Sequence, residues 1–213
     1  MRSCPRLIPS RSAEQTEDII DIGRWVLMQA CVDLHRWQRH DQHRGLEICV
    51  NISSSQLMAA DFACTVADVL AETRTDPKVV TLEVTESVFI QDSDRALVVL
   101  NDLRRLGVKL ALDDFGTGYS SLSYLKQFPV NIVKIDRAFI ADLGRDPTSR
   151  LIVSAIVRLA HSLQMTVVAE GIESINQYDE VVALDCDSYQ GYFFARPASA
   201  DSLDSLMAVA ATA

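Results

Sequence analysis

The chain has 213 residues, long enough for one full hydrophobic core, and its 48% hydrophobic and 23% charged residues are an ordinary soluble composition. Its formal net charge of -9 excludes a broad basic footprint for a nucleic-acid polymer. A small phosphate-bearing ligand stays compatible with that charge, because a bound metal reverses the local sign of an acidic site.

In chain order, residues 1–18 are expected to be an irregular N-terminal remnant, and residues 19–213 a single domain. Ile19, Ile20, Ile22, Trp25, Val26, Met28, Ala30, Val32, Leu34 and Trp37 predict a long helix. Leu46 to Val50 reads as a strand ending at Asn51. Phe62 to Thr73 reads as a helix, with Pro77 marking the return. Val79 to Val84 is the next predicted strand, with Glu83 and Glu86 at its end. Asp94 to Leu106 predicts a helix that Gly107 stops. Val108 to Leu112 is a short apolar strand running into the adjacent carboxylates Asp113 and Asp114 and a turn with two glycines. Ser121 to Phe128 should be helical, ended by Pro129. Ile132 to Ile135 predicts a strand carrying Lys134. Asp146-Pro147 has the form of a cap and first-turn proline opening a helix to Leu163. Met165 to Ala169 is a strand ending at Glu170, with Gly171 and Glu173 beyond it. Ile175 to Leu184 predicts a helix, Ser188 to Phe193 a short strand containing Gln190, and Ser202 to Val209 a closing helix.

Strand and helix alternate throughout, which predicts a parallel sheet covered by helices. Asn51, Glu83, Asp113 with Asp114, Lys134, Glu170 and Gln190 each fall at or near the C-terminal edge of a different strand. In a β/α barrel that edge carries the active site. Solvated loops account for one polar strand end but poorly for six in succession. Several carboxylates with an asparagine form a hard oxygen shell, suited to Mg²⁺ or Mn²⁺ rather than zinc. Adjacent strand residues point to opposite faces, so Asp113 and Asp114 can converge only where the backbone turns. Their alternative is a helix cap plus a solvated turn residue. Lys134 could orient an attacking water or balance phosphate charge; it could equally be a partly buried lysine paired with Glu83 or Asp113. Asp114-Phe115-Gly116 lacks the companion loops of a kinase, and Gly116-Thr117-Gly118 lacks the third glycine of a dinucleotide fingerprint.

The five cysteines, Cys4, Cys31, Cys49, Cys64 and Cys186, are scattered and show no C-x-x-C pair, which predicts reduced thiols and a cytoplasmic location. No secretory core or membrane-length apolar run is present, so no membrane is expected as a partner.

The segments VNISSSQL from Val50, LEVTES from Leu82, LALDDFGTGYSSLSYLKQFPVNIVKID from Leu110, VVAEGIES from Val167 and QGYFFARP from Gln190 resemble the EAL-domain family. The resemblance implies a modified TIM-type β/α barrel that hydrolyses cyclic di-GMP with Mg²⁺ or Mn²⁺ in bacterial second-messenger signalling. It implies metal ligation by Asn51, Glu83, Asp113, Asp114 and Glu170, with Lys134 and Glu170 as the catalytic pair. It also implies that Glu86 braces the DDFGTGYSS loop, and that Glu173 and Gln190 support the metal and water. Arg196 belongs to the closing motif and is expected at the surface.

One motif of the family is missing. No Glu-Ala-Leu occurs in this sequence. In the family that glutamate is a metal ligand, and a nearby arginine helps hold the substrate phosphate. Six candidate strands stand where a closed barrel needs eight, so the barrel is expected to be incomplete at its N-terminus. Two functions follow. One is a cyclic di-GMP phosphodiesterase with impaired activity. The other is a non-catalytic module that binds cyclic di-GMP or a partner protein, with a homodimer or signalling-protein partner in either case.

Overall fold

The computed structural model describes residues 18–40, 43–88, 92–116 and 122–203. The chain forms two compact units. The first comprises Met1–Leu82, Asn101–Lys109 and Pro197–Ala213, and the second Glu83–Leu100 and Leu110–Arg196. Six strands, β1 Ile48–Ile52, β2 Val80–Thr85, β3 Lys109–Phe115, β4 Ile132–Ile135, β5 Thr166–Ala169 and β6 Ser188–Tyr189, are sheet neighbours in the order of the sequence.

In the first unit, α1 (Asp18–Gln38) buries Ile19, Val26, Leu27, Ala30, Cys31, Leu34 and Trp37 at helical spacing. Asp18 and Asp21 in its first turn and His35 and Arg36 in its last complement the helix dipole. The strand β1 buries Ile48, Val50 and Ile52 on one face, which puts Asn51 on the other. The short helix α2 (Ser54–Leu57) was not expected, being too brief to show a period. Its start is a capping box in which the Ser53 hydroxyl and the Gln56 side chain each satisfy the other's backbone N–H. The helix α3 (Phe62–Thr73) occupies the predicted span, packs on α1 and buries Phe62, Val66, Val69 and Leu70.

In the second unit, β3 to β6 are parallel, with Ala111 opposite Ile132, Val133 opposite Val167, and Ala169 opposite Tyr189. A parallel strand covered on both faces reads as a continuous apolar run, and β4 buries Val133, Lys134 and Ile135 together. The helix α4 (Ser93–Leu106) begins here and ends in the first unit at Gly107, whose φ of +97° is a C-terminal stop. After α5 (Leu122–Gln127) and β4 comes the unexpected short helix α6 (Arg137–Ala141), opened by Asp136, whose side chain accepts the Ala138 N–H. The helix α7 (Pro147–Ser162) starts as predicted, with Asp146 accepting the N–H groups of Thr148 and Ser149. The helix α8 (Ile175–Ala183) starts at a second capping box, Ser174 with Gln177.

Two strands differ from expectation. The strand β3 does not stop at Leu112 but continues through both aspartates to Phe115. The strand β6 is two residues long rather than six, because the chain turns after Gln190. Most of the expected closing helix and the irregular segment as far as residue 17 lie outside the described residues, as does the loop at 117–121. Residues 200–203 are helical. Among the described residues no helix is long and apolar enough to cross a membrane.

The four described cysteines are free thiols. Burial first, then the carboxylates of Asp187 and Asp185, push the Cys186 thiol up to about 12, whereas Cys64 is exposed on α3. Brief alkylation at about pH 8.5 should therefore label Cys64 well before Cys186, as read by peptide mapping. Equal labelling would contradict the packing around Cys186.

Candidate functional site

Four strands of the second unit deliver charged side chains to one buried point. Glu83 of β2, Asp113 of β3, Lys134 of β4 and Glu170, just past β5, are 6%, 1%, 3% and 4% exposed. The Lys134 ammonium lies 2.6 Å from Glu83 Oε2, 2.7 Å from Glu170 Oε1 and 3.0 Å from Asp113 Oδ1. Burial pushes that ammonium's pKa down. The fields of Glu83, Glu170 and Asp113 together outweigh burial and hold it above its ordinary range. Lys134 is thus the buried, paired lysine that one sequence-based alternative described, and it pairs with Glu170 as well.

Asp113 and Asp114 converge by a device that the sequence did not disclose. The pairing register of β3 with β4 shifts between Leu112 and Phe115, and Asp114 has a φ of 55°. A bulge with one left-handed residue turns the second carboxylate without ending the strand. Aspartate tolerates that conformation better than most residues. The Asp114 N–H donates to Asp113 Oδ1 at 3.1 Å, fixing the first carboxylate. Asp113, Asp114 and Glu170 each offer an oxygen within 4.8 Å of the others.

Glu86 is half-buried and its Oε1 accepts the Gly116 N–H at 2.8 Å. It therefore ties the start of the DDFGTGYSS segment to the end of β2. Gln190 takes part through its backbone. Its N–H donates to the Ala169 carbonyl at 2.8 Å and its carbonyl accepts the Ile172 N–H at 3.1 Å. Glu173 is exposed, and its N–H donates to Gln177 Oε1 at 2.8 Å at the start of α8. Asn51 lies in the first unit, on the half-exposed face of β1. Arg196 is exposed and lies 4.9 Å over the Tyr192 ring, a surface cation–π contact.

Four carboxylates, Glu83, Asp113, Asp114 and Glu170, therefore share the neighbourhood of one ammonium. Like charges held this close repel, and a bound cation offsets that repulsion. Asp113, Asp114 and Glu170 form a hard, anionic donor set that fits Mg²⁺, Mn²⁺ or Ca²⁺ and not a soft metal.

The EAL-domain family model matches residues 9–197. The chain belongs to the EAL-domain family. It is 40% identical over 185 residues to the Bacillus subtilis signaling protein YkoW, covering 87% of this chain and 23% of that protein. It is 42% identical over 191 residues to the Pseudomonas aeruginosa bifunctional diguanylate cyclase/cyclic di-GMP phosphodiesterase MucR, covering 90% of this chain and 28% of MucR. This EAL chain thus spans about a quarter of the length of these relatives. Its fold superposes on the PaMucR phosphodiesterase solved with c-di-GMP at a TM-score of 0.85, over 90% of this chain and 77% of that one, at 42% identity. The Klebsiella pneumoniae BlrP1 complex with manganese and cy-diGMP matches at a TM-score of 0.75 and 30% identity, over 89% of this chain and 46% of that one. The mixed α/β fold with a parallel sheet is that of these EAL domains, as the alternation of elements predicted.

Replacing Lys134 with methionine should destabilise the metal-free protein by about 3–5 kcal/mol, because three buried carboxylates lose their compensating charge. Urea unfolding measures this. An unchanged midpoint would contradict the pairing.

Proposed function

We propose that the second unit is a divalent-metal site for cyclic di-GMP hydrolysis, and that these 213 residues alone turn it over poorly. The single observation behind it is the convergence of carboxylate oxygens of Asp113, Asp114 and Glu170 beside a buried lysine. The manganese complex of BlrP1 and the c-di-GMP complex of PaMucR support the choice of metal and ligand class. Mg²⁺ or Mn²⁺ would be held by Asp113, Asp114 and Glu170, joined by Glu83. Such an ion supplies charge on the phosphoryl oxygens and a more acidic water.

The chain's own residues do the positioning. Lys134 keeps Glu83, Asp113 and Glu170 converged, and its ammonium orients the attacking water toward phosphorus. A P–O bond to that water forms as the P–O bond to one ribose breaks. The departing oxygen takes up a proton and leaves a linear dinucleotide, with one water consumed. Glu86 holds the backbone at Gly116, while Gln190 and Glu173 support the walls.

Turnover is expected to be weak because no Glu-Ala-Leu occurs in this sequence, so one carboxylate of the family shell is not supplied. A misplacement of about 1 Å costs on the order of a hundredfold in rate. That missing motif also favours the second reading, in which the chain binds cyclic di-GMP without hydrolysing it, as a homodimer or with a signalling-protein partner. Reduced thiols and an intracellular messenger both suit a cytoplasmic location.

Isothermal titration of Mn²⁺ and a hydrolysis assay with cyclic di-GMP separate these readings. Asp113→Asn should weaken Mn²⁺ binding roughly tenfold or more, since a neutral amide replaces a charged ligand. Unchanged affinity would remove Asp113 from the metal shell. Wild-type hydrolysis should be slow or undetectable while the dinucleotide still binds. Rapid Mg²⁺-dependent linearisation that Lys134→Ala abolishes would show full activity instead of the expected impairment.

A further inference from the structure

Glu170 reaches the site from a short piece of backbone gripped on two sides. Past the end of β5 at Ala169, the Glu170 N–H donates to the Ile135 carbonyl at 3.1 Å, toward β4. Two residues later the allegiance switches. The Ile172 N–H donates to Gln190 at 3.1 Å, and the Ile172 carbonyl accepts the Phe193 N–H at 2.9 Å, both just past β6. Gly171 is the pivot between these two attachments, with a φ of +73°.

Both grips require the absence of a side chain. A Cβ on Gly171 would fall 2.3 Å from Arg137 Cβ and 3.2 Å from Arg137 Cα, at the start of α6. A Cβ on Gly191 would fall 2.1 Å from the Ile172 carbonyl oxygen and 2.3 Å from its nitrogen. Contacts this short with backbone atoms, or with a Cβ that the backbone fixes, cannot be relieved by turning a flexible side chain. Either added methyl must push residues 170–172 away from its neighbour. The Glu170 carboxylate, 2.7 Å from Lys134, is the group on that segment with the least freedom to absorb the shift.

We propose that Gly171 and Gly191 are positioning residues that set the Glu170 carboxylate against Lys134 and the double aspartate, resting for its functional meaning on the metal-site reading above. They act through the backbone of 170–172 and touch neither metal nor substrate. The geometry of the carboxylate cluster then depends on two glycines as well as on the carboxylates themselves.

The test uses the metal-free full chain with lysine labelled with ¹³C and ¹⁵N, whose spectrum holds only four side-chain signals, from Lys78, Lys109, Lys126 and Lys134. Glu170→Gln marks where the Lys134 ammonium signal goes when its Glu170 partner is weakened. Gly171→Ala and Gly191→Ala should move it in the same direction by at least half that shift. Gly144→Ala is the control. Gly144 shares a left-handed φ of +82°, but its added Cβ would meet only Glu180 Cγ at 3.8 Å, so it should leave Lys134 unmoved. A folded Gly171→Ala protein with Lys134 at its wild-type position would overturn the proposal, as would an equal shift in Gly144→Ala. If Gly171→Ala does not fold, the double variant with Arg137→Gly, which removes the Cβ collision, decides. A double variant that folds with its Lys134 signal where Arg137→Gly alone puts it supports the proposal, and a displaced signal or an unfolded double variant overturns it. No metal or dinucleotide enters this readout. A failure of Mn²⁺ binding or hydrolysis would therefore strike the proposed function and leave the positioning result standing.

Discussion

One buried ammonium, surrounded by three carboxylates from three other chain segments, is the constraint on which the second unit depends. Lys134 is 3% exposed, and removing its charge from water is the largest single influence on it. Only the combined fields of Glu83, Glu170 and Asp113 offset that cost. The reverse also holds, since none of the three carboxylates could be buried so close to the others without Lys134. Charge pairing of this kind gives little net stability compared with an apolar core, but breaking it by removing one partner is costly. The lysine therefore acts as a registry pin. It requires the ends of β2, β3, β4 and β5 to be level, which is what a site at a strand edge needs.

Around that pin the chain assembles a surplus of negative oxygen. The bulge at Asp114 adds a fourth carboxylate, and Glu86 secures the backbone immediately after it. A site that only needed internal neutrality would have no use for the additional acid. A site that receives a divalent cation and a phosphodiester does. The solved EAL domains that this chain resembles include complexes with cyclic di-GMP and, in one, manganese. The absence of Glu-Ala-Leu from this sequence is what separates binding from efficient turnover in the proposed function.

Much of this was legible from sequence because strand ends in a parallel β/α arrangement announce themselves. Apolar runs finishing at Glu83, Asp113, Lys134 and Glu170 gave the site's members, and the bounds of α3 and β4 were read without error. The helices α2 and α6 were missed because four or five residues are too few to show a 3.6-residue period. The strand β6 was read as too long because the aromatic run Tyr192-Phe193-Phe194 has high strand propensity, while hydrogen bonds to Ile172 turn it out of the sheet. The bulge at Asp114 and the threefold pairing of Lys134 were hidden for a deeper reason. Both depend on register between strands far apart in sequence, which no local pattern encodes.

The most direct measurement is anomalous diffraction from crystals of the chain equilibrated with Mn²⁺. The account predicts at least one manganese peak bonded to carboxylate oxygens of Asp113, Asp114 or Glu170, with Lys134 still contacting Glu83. A fully ordered site without a manganese peak, or manganese bound only elsewhere on the acidic surface, would contradict it.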